Sequence, residues 1–438
     1  MNTANKIIYQ LALRTFTPDG TLRAATERLG HIAALGVDIV YLCPFYVQDD
    51  STDLDAWSPR QKASCTNNPK NPYKINDYFH VDEEYGTNGD LADFVKEAHR
   101  LGLLVMFDLV YLHCGRTAPF IAEHPDFVIR NEDGSIAVPD RWPFARLNFN
   151  SRALRDYLIC NMDMLVNKYG ADCLRCDVGD DVPLDFWEEA FAYLKTKKPA
   201  LITLNEGIKP RYIEEVFDWG YNFDFCGLLT EIFSTERSAA DLRALYEKEL
   251  VKYGADGAKR LLRTVDTHDT ASDCGLRRNE IIMTTRGVEA ALVVTTTFVG
   301  VPFLWNGYEF GDDAENNMFS NRFYGRRSAM NWSRIATKDG ARRMAFVKEI
   351  HRLYHESVPL HSGEMVFLGN SAEGAVLSYL RESAGERILV VVNTKNAPVE
   401  VQLEAAPAIK NTRMASGALI ARGRIALAPY GYLIAQVD

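Results

Sequence analysis

The feature that most constrains this chain is a regular alternation of short, wholly apolar runs with amphipathic stretches. The runs are IIYQLAL (7–13), VDIVYLCPFY (37–46), LLVMFDLV (103–110), ADCLRCD (171–177), ALITLNE (200–206), NFDF (222–225), RLLRTVD (260–266) and VPFLWNG (301–307). Runs that are apolar throughout suit strands of a parallel sheet covered on both faces. Helical patterns fill the gaps. After the first run, Leu22, Ala25, Leu29, Ile32 and Leu35 fall on one helical face. Segment 91–102 reads as a helix closed by Gly102, and 151–170 as one capped by Ser151 and closed by Gly170. Eight such βα units predict a closed (β/α)8 TIM barrel.

Two segments break the pattern. Residues 113–149 are too long and irregular for an ordinary βα loop and predict a small lobe inserted after strand three. After residue 356 come MVFLG, AVLSYLRE, RILVVVNT, VEVQL and IALAPYGYLIAQV, separated by short turn segments. These predict a C-terminal antiparallel β domain, taken as a β-sandwich over 357–438. The barrel then comprises 1–112 and 150–356. The tail reads as a structural cap on the barrel, with sugar binding the lesser alternative.

Composition narrows the partners. The chain of 438 residues has a formal net charge of −10, which disfavours a phosphate-binding nucleic-acid partner. It contains no apolar span of membrane-crossing length, and its first residues lack the pattern of a cleaved leader, so the expectation is a cytoplasmic protein without a membrane partner. The eight cysteines read as buried reduced thiols. Cys173 and Cys176 have a C-x-x-C spacing, but residues i and i+3 of a strand face opposite ways and do not chelate one ion.

Barrel enzymes place their chemistry at the C-terminal ends of strands. Here those ends carry Asp108 and His113, Arg175 and Asp177, Glu206, and His268 and Asp269. One such carboxylate is unremarked in a loop; several on one rim suit glycoside chemistry, in which two carboxyls about 5–5.5 Å apart flank the scissile bond of a retaining enzyme. Arg175 and Asp177 leave their strand on one face, so the Arg is expected to keep the Asp ionised. Glu206, among other acids, is expected to be held protonated.

The order of these motifs resembles the α-amylase family, glycoside hydrolase family thirteen. Its D-x-x-x-N-H, R-x-D, Glu and H-D motifs read here as DLVYLH, LRCD, LNEG and DTHD. The resemblance covers nearly the whole chain. It implies Asp177 as nucleophile, Glu206 as general acid/base and Asp269 as third carboxylate. It further implies that His113 and His268 bind the sugar, that Arg175 orients Asp177, that Tyr73 stacks on the sugar, and that Asp108 is mainly structural. Arg327 is a further candidate for reaching the sugar. The implied activity is retaining hydrolysis, or transfer, of α-glucosidic bonds in α-glucans or malto-oligosaccharides. The alternatives are a glucosyl transferase or isomerase of the same family, a non-catalytic sugar-binding homologue, and a metal-dependent barrel hydrolase. The first strand, YQLALRTF, lacks the H-x-H pair common in the last class.

The chain departs from the family in three respects. Leu112 stands where an Asn commonly ligates calcium, so no metal or other cofactor is expected, although Asp126, Glu132, Asp133 and Asp140 lie in the lobe. Asp180 and Asp181 replace the Lys-His that contacts sugars on the leaving-group side. Lys74 replaces the Asp with which exo-acting members grip a terminal sugar. Val178, after the nucleophile, resembles members acting on α-1,6 links. Linkage, chain length and oligomeric state are not fixed by these residues.

Overall fold

The computed structural model describes residues 3–139, 142–270, 278–324, 328–383, 385–405 and 407–438. Eight parallel strands form the barrel: β1 (Ile8–Leu11), β2 (Ile39–Leu42), β3 (Leu104–Leu109), β4 (Cys173–Cys176), β5 (Ile202–Asn205), β6 (Trp219–Gly220), β7 (Leu262–Arg263) and β8 (Val301–Trp305). Their order is β6-β5-β4-β3-β2-β1-β8-β7. A parallel bridge between Gly220 and Leu261 and a Gly220 N–H bond to the Arg260 carbonyl (3.0 Å) join the two ends. The (β/α)8 barrel is thus present.

Strand parity sorts the side chains. Ile8, Ile39, Tyr41, Met106, Cys173, Ile202, Leu204 and Phe303 fill the interior, while Tyr9, Val40, Val105, Leu174 and Cys176 pack outward against the helices. Cys173 and Cys176 therefore lie on opposite faces, as their spacing requires. Helices α1 (Asn88–Arg100), α2 (Arg152–Asp163), α3 (Leu184–Lys197), α4 (Phe223–Ser234), α5 (Ala240–Ala258), α6 (Thr284–Thr297) and α7 (Lys338–Glu356) account for most of the outer layer. The Ser151 hydroxyl accepts from Leu154 N–H at the start of α2, and Gly102 and Gly170 take positive φ where their helical segments end.

Three expectations are corrected. The sixth strand is Trp219–Gly220, not 222–225: the Asn222 side chain accepts from Phe225 N–H, and that cap starts α4 at Phe223. The cysteines are not uniformly buried thiols, because Cys160 is exposed and Cys65 is disulfide-bonded. The C-terminal domain is one six-stranded sheet rather than a sandwich. Its strands are β9 (Glu364–Phe367), β10 (Val376–Ser383), β11 (Glu386–Asn393), β12 (Val399–Val401), β13 (Ile409–Ala421) and β14 (Arg424–Val437). The reason lies in β14, which pairs with β12 through residues 425–427 and with β11 through 432–437, while β13 runs along its other side. Pro429, lacking an N–H, and Tyr430, at φ +55°, separate those two stretches. Ile388, Val390 and Val392 face the barrel core; Leu389, Val391 and Leu433 build a second core on the other face.

Residues 113–149 leave the barrel on a short antiparallel stem, His113–Cys114 against Ala145–Arg146. A second excursion was not anticipated from the sequence. Residues 46–81, between β2 and α1, form a hairpin of Tyr46–Gln48 and Ile75–Val81 that carries the short helix Pro59–Lys62.

Candidate active site

Asp177 and Glu206 come from equivalent positions on adjacent strands. Cys176 and Asn205, the last residues of β4 and β5, are register partners, and Glu206 N–H continues the ladder to the Cys176 carbonyl (3.0 Å). Neighbouring strands lie about 4.8 Å apart. Arg175, fully buried, binds both acids. Its Nη1 donates to Asp108 Oδ1 (2.7 Å) and Asp177 Oδ1 (2.8 Å), and its Nη2 forms an ion pair with Glu206 Oε2 (2.9 Å). Tyr73 and Tyr221 place their rings 5.9 and 5.4 Å from its Cζ.

One buried guanidinium faces Asp108, Asp177 and Glu206, with Asp269 nearby, so all four acids cannot be ionised cheaply. Burial raises Asp108 and lifts Asp177 to about 7, against the pull of Arg175. Burial drives Glu206 well above the usual range, again against Arg175 and with the Asp177 charge adding to the rise. Arg175 thus limits the rise at Asp177 rather than holding it at an ordinary carboxylate value, which corrects the simpler expectation. Burial also pushes Asp269 upward, but His268, Arg60 and Arg175 outweigh it and hold that carboxyl low.

The proton of Glu206 has a defined place. Oε2 accepts the Val178 N–H (2.7 Å) and faces Arg175 Nη2, so the proton belongs on Oε1. Val178 achieves this with φ +43° and ψ +42°, a left-handed conformation that is strained for a β-branched residue.

Asp180 locks the loop behind Glu206. Its carboxylate accepts from Asn205 Nδ2 (2.8 Å), Ile208 N–H (2.8 Å) and Lys209 N–H (2.9 Å). Gly179 and Gly207 make room for this, since a Cβ at either would fall 2.2 Å from Asn205 Oδ1 or Asp180 Cγ. Asp181 lies 3.7 Å from Lys209 Nζ.

The other expected site residues gather around the same opening. Tyr73 O–H lies 3.0 Å from Asp108 Oδ2 and 2.7 Å from His268 Nε2, and its ring stacks on the His268 imidazole with centroids 5.2 Å apart. His268 Nε2 is 3.1 Å from Asp269 Oδ2. His113 spends its Nε2–H on the Tyr73 carbonyl (2.9 Å) and packs against Phe144. Burial lowers His113 to about 4 and His268 to about 3, so both are neutral near pH 7. Lys74 is turned away, buried 3.2 Å from Asp49. Arg327 and Asp140 lie outside the described residues.

A pocket of about 250 Å3 opens over these acids. Its walls include Trp142 and Phe144 from the lobe, Arg60 and Asn71 from the 46–81 excursion, and Met318 and Phe319 from the segment after β8. Sequence reasoning missed these walls. Arg60 Nη2 donates to the His268 carbonyl (2.6 Å) and Nη1 approaches Asp269 Oδ1 (3.4 Å). Its helix has four residues, too short for periodicity; the Ser58-Pro59 start signal was the available clue. Gln10, also missed, had a better one: a buried amide at inward parity on a strand requires a partner.

Two family models match the chain: the alpha amylase catalytic domain over residues 2–133 and the maltogenic amylase C-terminal domain over 365–434. Over these two segments the chain is similar to the α-amylase family. A cyclomaltodextrinase from a Bacillus species is 26% identical over 401 residues, 86% of this chain and 66% of that protein. An intracellular maltogenic amylase from Bacillus subtilis is 24% identical over 320 residues, 68% of this chain and 50% of that protein. The chain thus spans half to two thirds of the length of these curated relatives. In fold it is similar to a noncanonic maltogenic α-amylase from Thermotoga neapolitana, with a TM-score of 0.80 at 22% identity, covering 100% of this chain and 97% of that one.

The residues beside His113 do not fit the calcium ion that the α-amylase family commonly holds. Leu112 is buried in apolar contacts and its carbonyl accepts Leu147 N–H (3.2 Å). Asp126 is engaged by the Ser151 hydroxyl and Asp133 by Ser135. No group of three or more possible metal-ligating acids, His or Cys occurs among the described residues.

Proposed function

We propose that this chain is a retaining glycosidase of the α-amylase family that cleaves or transfers α-glucosidic bonds of malto-oligosaccharides or related α-glucans. The observation that carries the reading is the Asp177–Arg175–Glu206 arrangement: two carboxyls on adjacent strands, held by one guanidinium, beneath one pocket. Their equivalent strand positions suit the carboxyl separation of about 5–5.5 Å that retention needs. Asp177, the more readily ionised of the two, attacks the anomeric carbon. Glu206 gives its Oε1 proton to the leaving oxygen, then takes a proton from the incoming water or acceptor hydroxyl. Asp269, held ionised, accepts hydrogen bonds from sugar hydroxyls. His268 donates to the sugar, and the Tyr73 ring offers it an apolar face.

The names of the relatives, a cyclomaltodextrinase and maltogenic amylases, support short or cyclic α-glucans as substrates, and the small pocket agrees. The second of those names also supports a cytoplasmic location. The test is proton NMR of early product from maltoheptaose and a cyclomaltodextrin. The α-anomer should appear first and mutarotate later. Early β-anomer contradicts double displacement, and absence of turnover on every α-glucan contradicts the activity.

A further inference from the structure

Gln10 is fully buried on β1 and faces the barrel interior. It touches His268 twice. The His268 backbone N–H donates to Gln10 Oε1 (3.2 Å), and Gln10 Nε2 lies 2.7 Å from His268 Nδ1. The first contact settles the orientation of the amide. A backbone N–H is always a donor, so the oxygen must face it and the NH2 must face the ring; the flipped amide would set two donors against each other. An amide NH2 cannot accept, so Nδ1 is an unprotonated acceptor and the ring proton sits on Nε2.

The direction of the whole chain follows. His268 Nε2–H points to Tyr73 Oη (2.7 Å) and Asp269 Oδ2 (3.1 Å). Tyr73, unable to donate to a nitrogen that already carries hydrogen, gives its proton to Asp108 Oδ2 (3.0 Å). Asp108 is in turn bound by Arg175, which holds Asp177. Asp269 beside it, Arg60 and Tyr73 from the 46–81 excursion, Arg175 of β4 and the Trp305 ring of β8 complete the charged, titratable and aromatic surroundings of His268.

We propose that Gln10 is a positioning residue that locks His268 as the neutral Nε2–H tautomer, so that the substrate meets an uncharged, directed donor. This rests on the glycosidase reading for its consequence. Positive charge grows on the sugar in an oxocarbenium-like transition state. An imidazolium beside it would oppose that charge, whereas a neutral imidazole donates a hydrogen bond without repulsion. Burial already disfavours the imidazolium, and Gln10 decides which nitrogen keeps the single proton.

The experiment uses the full chain labelled with 15N-histidine, and long-range proton–nitrogen spectra from pH 5 to 9. The His268 signals are identified by their loss in His268→Gln. Wild type should show a protonated Nε2, a bare Nδ1 and no titration across that range. In Gln10→Glu the carboxylate can accept from both the backbone N–H and an Nδ1–H. That variant should show a doubly protonated ring at pH 7, with kcat on a chromogenic α-glucoside reduced more than tenfold and KM changed less than threefold. Gln10→Met, equal in length but without the amide, should give mixed tautomers and more activity than Gln10→Glu. An Nδ1–H tautomer or a titrating His268 in the wild type overturns the proposal, as does a wild-type spectrum in Gln10→Glu. If Gln10→Glu does not fold, the wild-type and Gln10→Met spectra decide. Wild-type protein without turnover counts against the glycosidase reading alone, because the spectra still report the tautomer.

Discussion

Asp177 is held in the fold at an electrostatic cost. Its carboxyl is 7% exposed, titrates near 7 and shares one guanidinium with Asp108 and Glu206. An acid whose folded pKa lies above its unfolded value binds more protons folded than unfolded. Its ionisation therefore weakens the fold as pH rises from about 4 to about 7, with the full penalty above that. Asp177→Asn should lower kcat by several orders of magnitude, yet melt at an equal or higher temperature at pH 8, because Arg175 keeps Asp108 and Glu206. A clear fall in melting temperature at pH 8 contradicts this. The same values set the pH profile. kcat/KM should rise with pH through about 7 as Asp177 ionises, then fall as Glu206 loses its proton. A flat profile between pH 5 and 8 would argue against Asp177 as the nucleophile. Tyr73 separates two roles. Tyr73→Phe keeps the ring and loses only the hydroxyl between Asp108 and His268, so stability should fall by about 1 kcal/mol with KM little changed. Tyr73→Ala should reduce both kcat/KM and stability, since the ring also packs on His268 and Arg175. Calorimetric melting beside steady-state kinetics distinguishes the two variants.

At the scale of elements, the site is an assembly of strand ends closed by two excursions. β4 and β5 set the spacing of the acids, and the stretch after β5 is fixed by the Ile208 and Lys209 N–H groups, both of which donate to the Asp180 carboxylate. The lobe is joined to the barrel by the 113–114/145–146 stem and by apolar packing of Leu112, Phe127, Val128 and Leu147, which lie in the main core. That packing leads to a metal prediction. Dialysis against EDTA should leave melting temperature and activity within error of samples given calcium, because an apolar side chain occupies the usual ligand position. A large, calcium-reversible loss of both would show an ion at the lobe.

At the scale of the molecule, the C-terminal sheet is part of the barrel's outer wall. Every residue of α6 from Gly287 to Thr297 is buried, including Thr295, Thr296 and Thr297. Tyr379 and Arg381 of β10 reach into that region: Tyr379 shares a hydrogen bond with the Thr297 hydroxyl (2.6 Å), and Arg381 donates to the Thr297 carbonyl (2.7 Å). Ile388, Val390, Val392 and Ile434 extend the barrel's core across the boundary. A chain ended at Glu356 should therefore expose a broad apolar face and aggregate or unfold, not persist as a smaller active barrel. Size exclusion and circular dichroism of that truncation are the check; a monomeric, cooperatively melting product would show that the barrel stands alone.

The sequence by itself determined the features that repeat or that stand at fixed strand positions. Apolar runs specified the barrel because a strand buried on both faces is mostly apolar, and parity placed Arg175 and Asp177 on one side. The short sixth strand was misread because NFDF is as apolar as a strand, and only the Asn222 cap declares it the start of a helix. Tertiary structure alone decided the rest. The pocket walls at Arg60, Trp142 and Phe319 sit on segments without periodicity, which are positioned by contacts with distant parts of the chain and not by local pattern. The single sheet of the C-terminal domain depends on which strands β14 pairs with, and pairing is a choice among remote partners. The proton on Glu206 and the tautomer of His268 depend on hydrogen bonds from Val178 and Gln10, residues 28 and 258 positions away. A donor's identity is written in the sequence, but the acceptor it faces is fixed only when the chain closes.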